Sequence, residues 1–194
     1  MTAKELYSYA IDQATAVVVQ LEPEQLSLPT PDTEWSVLDL LNHMLYELAW
    51  AADLVAGRPY AATGDRYDGD LLGGDAIASW LACAARTQAA VAAADESTTV
   101  RLSYGDQSAQ EYLIEAGNDQ LVHAWDLGQA IGVSVVFEPV VAQILYDWML
   151  MRAREFGRSS LFAPPVTVAS SANTQTKLLA LEGRSEDWAE VRTR

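Results

Sequence analysis

The sequence predicts an all-α fold, a helical bundle with little or no strand. Three pairs of residues fit the capping box, in which a hydroxyl and an acid three residues later satisfy free amides of a helix's first turn. They are Thr2 with Glu5, Ser36 with Asp39, and Ser108 with Glu111. Apolar residues then recur with helical spacing over stretches of about 20 residues. Half of the 194 residues are hydrophobic, so the chain can bury the core of such a bundle.

The first three predicted helices are separated by two irregular stretches. The first runs from about Thr2 to Leu21 and stops before Glu22-Pro23, because proline disfavours a helical residue ahead of it. A loop rich in proline, threonine and aspartate leads to a second helix, from Ser36 to about Ala56, which Gly57-Arg58-Pro59 ends. After a stretch rich in aspartate and glycine, a third helix covers roughly Asp75 to Ala94.

One extended segment precedes the later helices. Between Thr98 and Tyr104 apolar and polar residues alternate, which fits either one short strand without an obvious partner or an extended connector. A fourth helix runs from Ser108 to Gly132, a residue suited to the left-handed turn that closes helices. Glu138-Pro139 opens a fifth, which ends near Gly157. A Pro164-Pro165 loop and the segment from Thr176 to Gly183 follow.

Domain organisation and partners follow from length and charge. We expect residues 1–158 to form the bundle and residues 159–194 to form a C-terminal extension packed on the same domain. The formal net charge of −15 repels phosphate backbones and anionic membrane surfaces, so we expect neither a nucleic-acid nor a membrane partner. The N-terminus lacks a signal-peptide core, and no run reaches the ~20 apolar residues of a membrane span. We therefore expect a cytoplasmic protein.

Several reactive or charged residues have an ordinary structural interpretation. Cys83, the single cysteine, lies in an alanine-rich helical run with no activating base nearby, so we expect a buried structural thiol. Arg58, Arg66 and Arg86 either meet an acidic substrate or solvate an exposed loop or helix face, and the second interpretation is favoured.

Each of the two histidines lies in a predicted helix with a carboxylate one turn away: His43 with Glu47, and His123 with Asp119 and Asp126. Residues four apart on a helix share a face, so Asp119 and His123 can offer an oxygen and a nitrogen to one ion, with His43 supplied by a second helix. Two nitrogens and one oxygen suit zinc or a similar divalent metal.

The alternative is that these histidines are ordinary core or surface residues, since an acidic chain scatters carboxylates over every helix. The surroundings of Asp119 favour the metal. Its face of the helix also carries Tyr112, Ala116, Leu127 and Ala130. An unpaired carboxylate in such an interior costs several kcal/mol, and a cation would remove that cost.

Three segments carry a family resemblance. Residues 34–43 read EWSVLDLLNH and fit the pattern W-[ST]-V-x-D-[LV]-x-x-H. Residues 119–127 read DQLVHAWDL and fit [DE]-x-x-x-H-x-W-D-L, and residues 178–184 read LLALEGR, with Trp188 close behind, and fit L-L-A-x-x-G-R-x-x-x-W. In these segments the chain resembles the DinB-like proteins related to mycothiol-dependent maleylpyruvate isomerase, in particular their short actinobacterial members.

The resemblance implies a DinB-like four-helix bundle with an extra C-terminal helix or tail, and a divalent metal, usually zinc with nickel as an alternative. The implied ligands are His43, Asp119 and His123, with Asp119 where isomerase-like members often carry glutamate. Asp126 is expected to accept a hydrogen bond from an imidazole of the site, the favoured interpretation, or to cap a solvated edge. Glu47 is expected to be a local surface partner rather than a fourth ligand.

The motif tryptophans, Trp35 and Trp125, are expected to be packing anchors rather than substrate contacts. Three protein ligands leave a tetrahedral ion with an open position, which is the catalytic rather than the structural pattern. The resemblance then implies a metal-dependent transferase or isomerase that uses a low-molecular-weight thiol such as mycothiol on a small electrophile. No residue is assigned to catalysis.

Other functional classes stay open. Maleylpyruvate isomerases carry a further C-terminal domain that contributes to the active site, whereas only a short segment follows the fifth helix here, which argues against isomerase activity itself. The competing interpretations are a non-catalytic metal-binding or stress-linked bundle and a purely structural bundle without metal. Related bundles commonly pair through helix faces, so a homodimer is one of the open alternatives.

Overall fold

The computed structural model describes residues 1–32, 34–63, 65–155 and 164–188. The described residues are mainly α-helical, with one small two-stranded sheet, which confirms the predicted all-α bundle with an extra C-terminal helix. The elements are α1 Ala3–Val18, α2 Val37–Val55, α3 Tyr60–Thr63, α4 Ala76–Ala93, β1 Thr99–Leu102, β2 Gly105–Ser108, α5 Ala109–Ile131, α6 Pro139–Glu155 and α7 Thr174–Leu181, with a short 3-10 turn at Pro23–Gln25.

The three predicted capping boxes are all present, and they set the starts of α1, α2 and α5. At α2, for example, the Asp39 amide donates to Ser36 Oγ over 3.3 Å and the Ser36 amide donates to Asp39 Oδ2 over 3.0 Å. The predicted left-handed residue at the end of α5 is also present, since Gly132 has a φ of 79°. Local chemistry therefore fixes both ends of the long helix that carries the second histidine.

Residues Met1–Val133 form one compact unit and Ser134–Arg194 form another. In the first unit α1 packs on α5 and α4, while α2 packs on α4 and α5, which makes a four-helix bundle. Its core is apolar, with fully buried side chains that include Leu6, Ile11, Leu41, Leu48, Trp80, Leu113, Leu121 and Leu127. The boundary predicted at residue 158 stays a prediction.

Helices α1 and α5 approach each other closely at Gly117. A Cβ added there would lie 2.5 Å from Leu6 Cδ2 and 3.5 Å from the Cα of Tyr7, so a larger residue would require the Leu6 side chain to move. This crossing places Tyr7 beside the turn of α5 that leads to Asp119.

The extended segment has a partner, which the sequence analysis did not identify. Strand β1 pairs antiparallel with β2, with Val100 opposite Gln107, so the segment is a hairpin rather than a lone strand or a connector. The second strand reads Gly-Asp-Gln-Ser, a composition depleted in strands, and its pairing depends on the tight turn before Gly105.

In the second unit α6 packs on α7. The Asn173 side chain caps α7, accepting from the Thr176 amide over 2.8 Å. Gln175 ties the segment before α6 to this helix, because its side chain accepts from the Phe137 amide and donates to the Val135 carbonyl, both over 2.9 Å. Within the described part of the chain, no helix has the length and apolar character to cross a membrane.

Candidate metal centre

The site is built by α2 and α5, which pack on each other. His43 lies in the second turn of α2, and Asp119, His123 and Asp126 lie along one face of α5. Both helices begin at capping boxes and bury a broad apolar face, so the positions of these side chains follow from the packing of the bundle core.

Asp119 stands between the two imidazoles. Its Oδ1 lies 3.4 Å from His123 Nε2, and its Oδ2 lies 3.8 Å from His43 Nε2. The three potential ligand atoms all lie within 4.8 Å of one another. The structure thus brings together the three residues that the sequence predicted as ligands.

These separations suit a small divalent ion. Zinc bonds of about 2.0–2.1 Å in a tetrahedron place ligand atoms roughly 3.3 Å apart. Asp119 Oδ2 is shielded from solvent and has no hydrogen-bond donor among the described residues. A cation would satisfy this oxygen, and two imidazole nitrogens with one carboxylate oxygen form a donor set that zinc prefers. The residues present therefore fit the ion that the sequence predicted.

The electrostatics of the site favour positive charge. Burial opposes ionisation of Asp119, but His123, and to a smaller extent His43, outweigh it and hold the pKa of the Asp119 carboxyl well below its usual range. Burial likewise opposes charge on His123, yet Asp119 and Asp126 raise the pKa of His123 to about 10. Without an ion, the site therefore favours a proton on the histidine nitrogen that would otherwise offer its lone pair to a metal.

Asp126 lies behind His123, on the side away from Asp119. Its side chain is fully buried, and its Oδ2 lies 3.1 Å from His123 Nδ1. If Nδ1 carries the proton and donates it to Asp126, Nε2 presents its lone pair toward Asp119. Asp126 is thus within hydrogen-bond distance of an imidazole of the site, and the role predicted for it there stays a prediction.

Trp35 contacts both histidines. The ring centroids of Trp35 and His43 are 4.6 Å apart, and those of Trp35 and His123 are 5.9 Å apart. Trp35 was expected to be a packing anchor, and no sequence pattern indicates that the rings it packs on are the two imidazoles. Trp125, the other motif tryptophan, is buried, as expected for a packing residue.

Glu47 is half-buried, in contrast to the expected surface position. It is not part of the three-residue group, and whether it binds an ion stays a prediction. Burial and then the charge of Asp119 raise the pKa of Glu47 to about 7, although both histidines act in the opposite direction. The fully buried Tyr7 lies within electrostatic reach of Glu47 and Asp119, and its hydroxyl meets no partner among the described residues.

Asp32 is a further acidic residue at the site that the sequence analysis did not identify. It belongs to a second group of closely spaced oxygens and nitrogens, with His123 and Asp126. Asp32 lies in the loop before α2, which has no periodic pattern that would assign it to a site. His123 belongs to both groups, and Asp126 is the residue that contacts its Nδ1. The second group therefore borders the group of His43, Asp119 and His123.

Cys83 is not a member of the three-residue group, and two of the three arginines bind another carboxylate. Cys83 is half-buried, whereas a buried thiol was expected; Arg86 donates to its Sγ over 3.5 Å, and burial raises the pKa of the thiol. Arg58 and Arg66 are half exposed, and both bind Asp53, at 3.0 Å and 3.2 Å. These two arginines therefore have a structural partner besides solvent.

A sequence comparison assigns most of the chain to a known family. The sequence profile of the family described as "Mycothiol maleylpyruvate isomerase N-terminal domain" matches residues 8–128. The chain belongs to this family. The match contains His43, Asp119 and His123, so the whole three-residue group lies within the shared domain.

Two relatives are proteins of Mycobacterium tuberculosis, the uncharacterized protein MT0763 of strain CDC 1551 and the uncharacterized protein Rv0738 of strain H37Rv. Each is 32% identical to this chain over 138 residues, which make up 69% of this chain and 69% of the relative. No solved structure matches the chain.

Proposed function

We propose that this member of the family is a divalent-metal-binding protein in which His43, Asp119 and His123 hold one ion, most suitably zinc. The observation that carries the proposal is the position of Asp119, whose two oxygens lie 3.4 Å and 3.8 Å from two imidazole nitrogens on different helices. The shielded Oδ2 without a hydrogen-bond donor supports it, because a half-buried carboxylate without full compensation is costly.

We further propose that the site serves a metal-dependent transferase or isomerase of the cytoplasm that uses a low-molecular-weight thiol, of the mycothiol type, on a small electrophile. A bound divalent cation supplies a Lewis acid that lowers the pKa of a thiol or water. The chain's own residues would prepare the site for it. Asp126 holds the Nδ1 proton of His123, and Trp35 covers the two imidazoles on one side.

The second candidate function is a non-catalytic metal-binding bundle. The three proposed ligands all lie within residues 8–128, so the bundle alone supplies them. This observation supports the non-catalytic function. Both candidates share the metal site and differ only in whether a thiol and an electrophile react there.

Metal content tests the shared part. Elemental analysis of tag-free protein is expected to give about one divalent ion per chain in the wild type and in Cys83→Ala, and none in His43→Ala or His123→Ala. Cys83→Ala is a suitable control because it removes another potential ligand without touching the three-residue group. Absence of metal from the wild type after addition of zinc or nickel would refute both candidates.

Cobalt substitution separates the two candidates. Titration of the cobalt protein with mycothiol, or with N-acetylcysteine as a simpler probe, is expected to produce a sulfur-to-cobalt charge-transfer band if the ion has an open position for a thiol. Turnover of a panel of electrophiles would then support the enzyme. A cobalt spectrum that no thiol alters would leave only the non-catalytic function.

A further inference from the structure

The two imidazoles are held in different ways. His123 has a hydrogen-bond partner for Nδ1, the buried carboxylate of Asp126. For His43 the nearest charged group lies on the other nitrogen, because Asp119 Oδ2 is 3.8 Å from Nε2. Its near neighbours are aromatic: the Trp35 ring at 4.6 Å, tilted by 43°, and the His123 ring at 5.0 Å, edge to face.

Trp35 is itself fixed by the loop that precedes α2. Its carbonyl accepts from both the amide and the hydroxyl of Thr30, over 3.2 Å and 2.9 Å, and its amide donates to the Asp32 carbonyl over 2.9 Å. Thr30 is buried, and Ser36, which follows Trp35 in the chain, caps α2. The backbone that carries the indole is therefore hydrogen-bonded through both its amide and its carbonyl.

We propose that Trp35 is a positioning residue of the metal site. Its ring holds the orientation of the His43 imidazole, and so the direction of Nε2 toward Asp119, as Asp126 does for His123 by a hydrogen bond. The inference rests on the metal site proposed above. Groups that orient a ligand typically contribute 10- to 100-fold to metal affinity, so loss of the Trp35 ring is expected to weaken binding by about that factor.

A packing role alone makes a different prediction. A packing anchor stabilises the fold, and its removal lowers the free energy of unfolding without a specific effect on metal affinity or on one histidine ring. Tyr46 provides a matched control, because it is a half-buried aromatic residue of α2 that contacts the Trp50 ring, 5.9 Å away.

The first measurement is the zinc dissociation constant by competition with a chromophoric chelator. We expect Trp35→Ala and Trp35→Leu to bind roughly 10- to 100-fold more weakly than wild type, in the range of Asp126→Ala, with Trp35→Phe close to wild type and Tyr46→Ala unchanged. Trp35→Leu keeps apolar volume for packing, and Trp35→Phe keeps a ring. Wild-type affinity in Trp35→Leu, or equal losses in Trp35→Leu and Tyr46→Ala, would overturn the proposal.

The second measurement uses NMR of the metal-free protein. Because the chain has two histidines in all, each imidazole gives its own set of ring signals. We expect Trp35→Leu to broaden the His43 signals through loss of a fixed ring orientation, while the His123 signals keep the Nδ1 hydrogen bond to Asp126; His43 signals as sharp as those of the wild type would contradict the proposal. Zinc binding by the wild type separately tests the metal site, so a failure of that site is distinguishable from a failure of the Trp35 inference.

Discussion

Two carboxylates, Asp53 and Asp119, show how similar groups in one bundle come to do different things. Asp53 is buried near the end of α2, and both of its oxygens have donors: Arg58 on Oδ1, and Arg66 with the Tyr67 hydroxyl on Oδ2. Asp119 is half-buried on α5 and faces two imidazole nitrogens, with no hydrogen-bond donor on Oδ2 among the described residues. Because both oxygens of Asp53 have donors, Asp53 is a structural clamp. Because Oδ2 of Asp119 lacks one within the described part of the chain, Asp119 is suited to bind a cation.

The largest expected effect is at Asp119. Asp119→Asn replaces a charged ligand by a neutral and poorer one, so we expect zinc affinity to fall at least about 100-fold while the fold is kept. Competition titration against a chelator measures the affinity, and circular dichroism checks the fold. Asp53→Asn is the matched control, and its zinc affinity is expected to equal that of wild type. Equal losses of zinc affinity in Asp119→Asn and Asp53→Asn would show that the two carboxylates do not differ in this way.

The second effect is at Asp53. Asp53→Ala leaves two guanidinium groups and the Tyr67 hydroxyl without their acceptor, so we expect a loss of roughly 2–3 kcal/mol in the free energy of unfolding, less than for a fully enclosed pair because both arginines are half exposed. Urea denaturation measures it. Asp106→Ala, which removes the exposed partner of Arg101 at 4.0 Å, is expected to have no measurable effect. A similarly small change in Asp53→Ala would mean that the clamp contributes little.

The third and smallest effect is at Glu47, a carboxylate between these extremes. The pKa of Glu47 is raised to about 7 in the fold, so its contribution to stability is fully present below the ordinary pKa of 4.5 and is lost as pH rises through 7. Glu47→Gln cannot ionise. In metal-free protein its stability relative to wild type should rise between pH 5 and pH 8, by on the order of 2 kcal/mol.

Urea denaturation at the two pH values, with a chelator present, measures the Glu47 effect. Added zinc is expected to reduce the difference between variant and wild type, because a nearby cation stabilises the ionised carboxylate of the wild type. A difference that stays constant from pH 5 to pH 8 would show that Glu47 ionises in the fold as it does in the unfolded chain.

Local features of the fold and site were predictable from the sequence. The capping boxes of α1, α2 and α5 depend on residues three apart, and the facing of Asp119 and His123 depends on residues four apart, so short spacings contain the information. That His43 meets this pair from another helix depends on how α2 packs on α5. The spacing of residues along one helix does not determine this contact between two helices. The family resemblance implied it.

Features that depend on irregular backbone were not predictable. The donors to Asp53 lie 5, 13 and 14 residues away along a loop with no periodicity, so no spacing rule joins them. Strand β2 has a composition that rarely forms strands, and its pairing comes from a turn. The contact of Trp35 with the imidazoles requires the backbone hydrogen bonds of the loop before α2, which leave no pattern in the sequence.

The apolar core and the helix caps of the bundle also bear on how metal would enter and leave the site. The three predicted ligands are carried by helices that the core and the caps hold together, so the site is formed before any ion arrives. Zinc fingers, by contrast, unfold when their ion is removed. In this protein, removal of the proposed ion by a chelator is expected to leave the bundle folded and able to bind metal again.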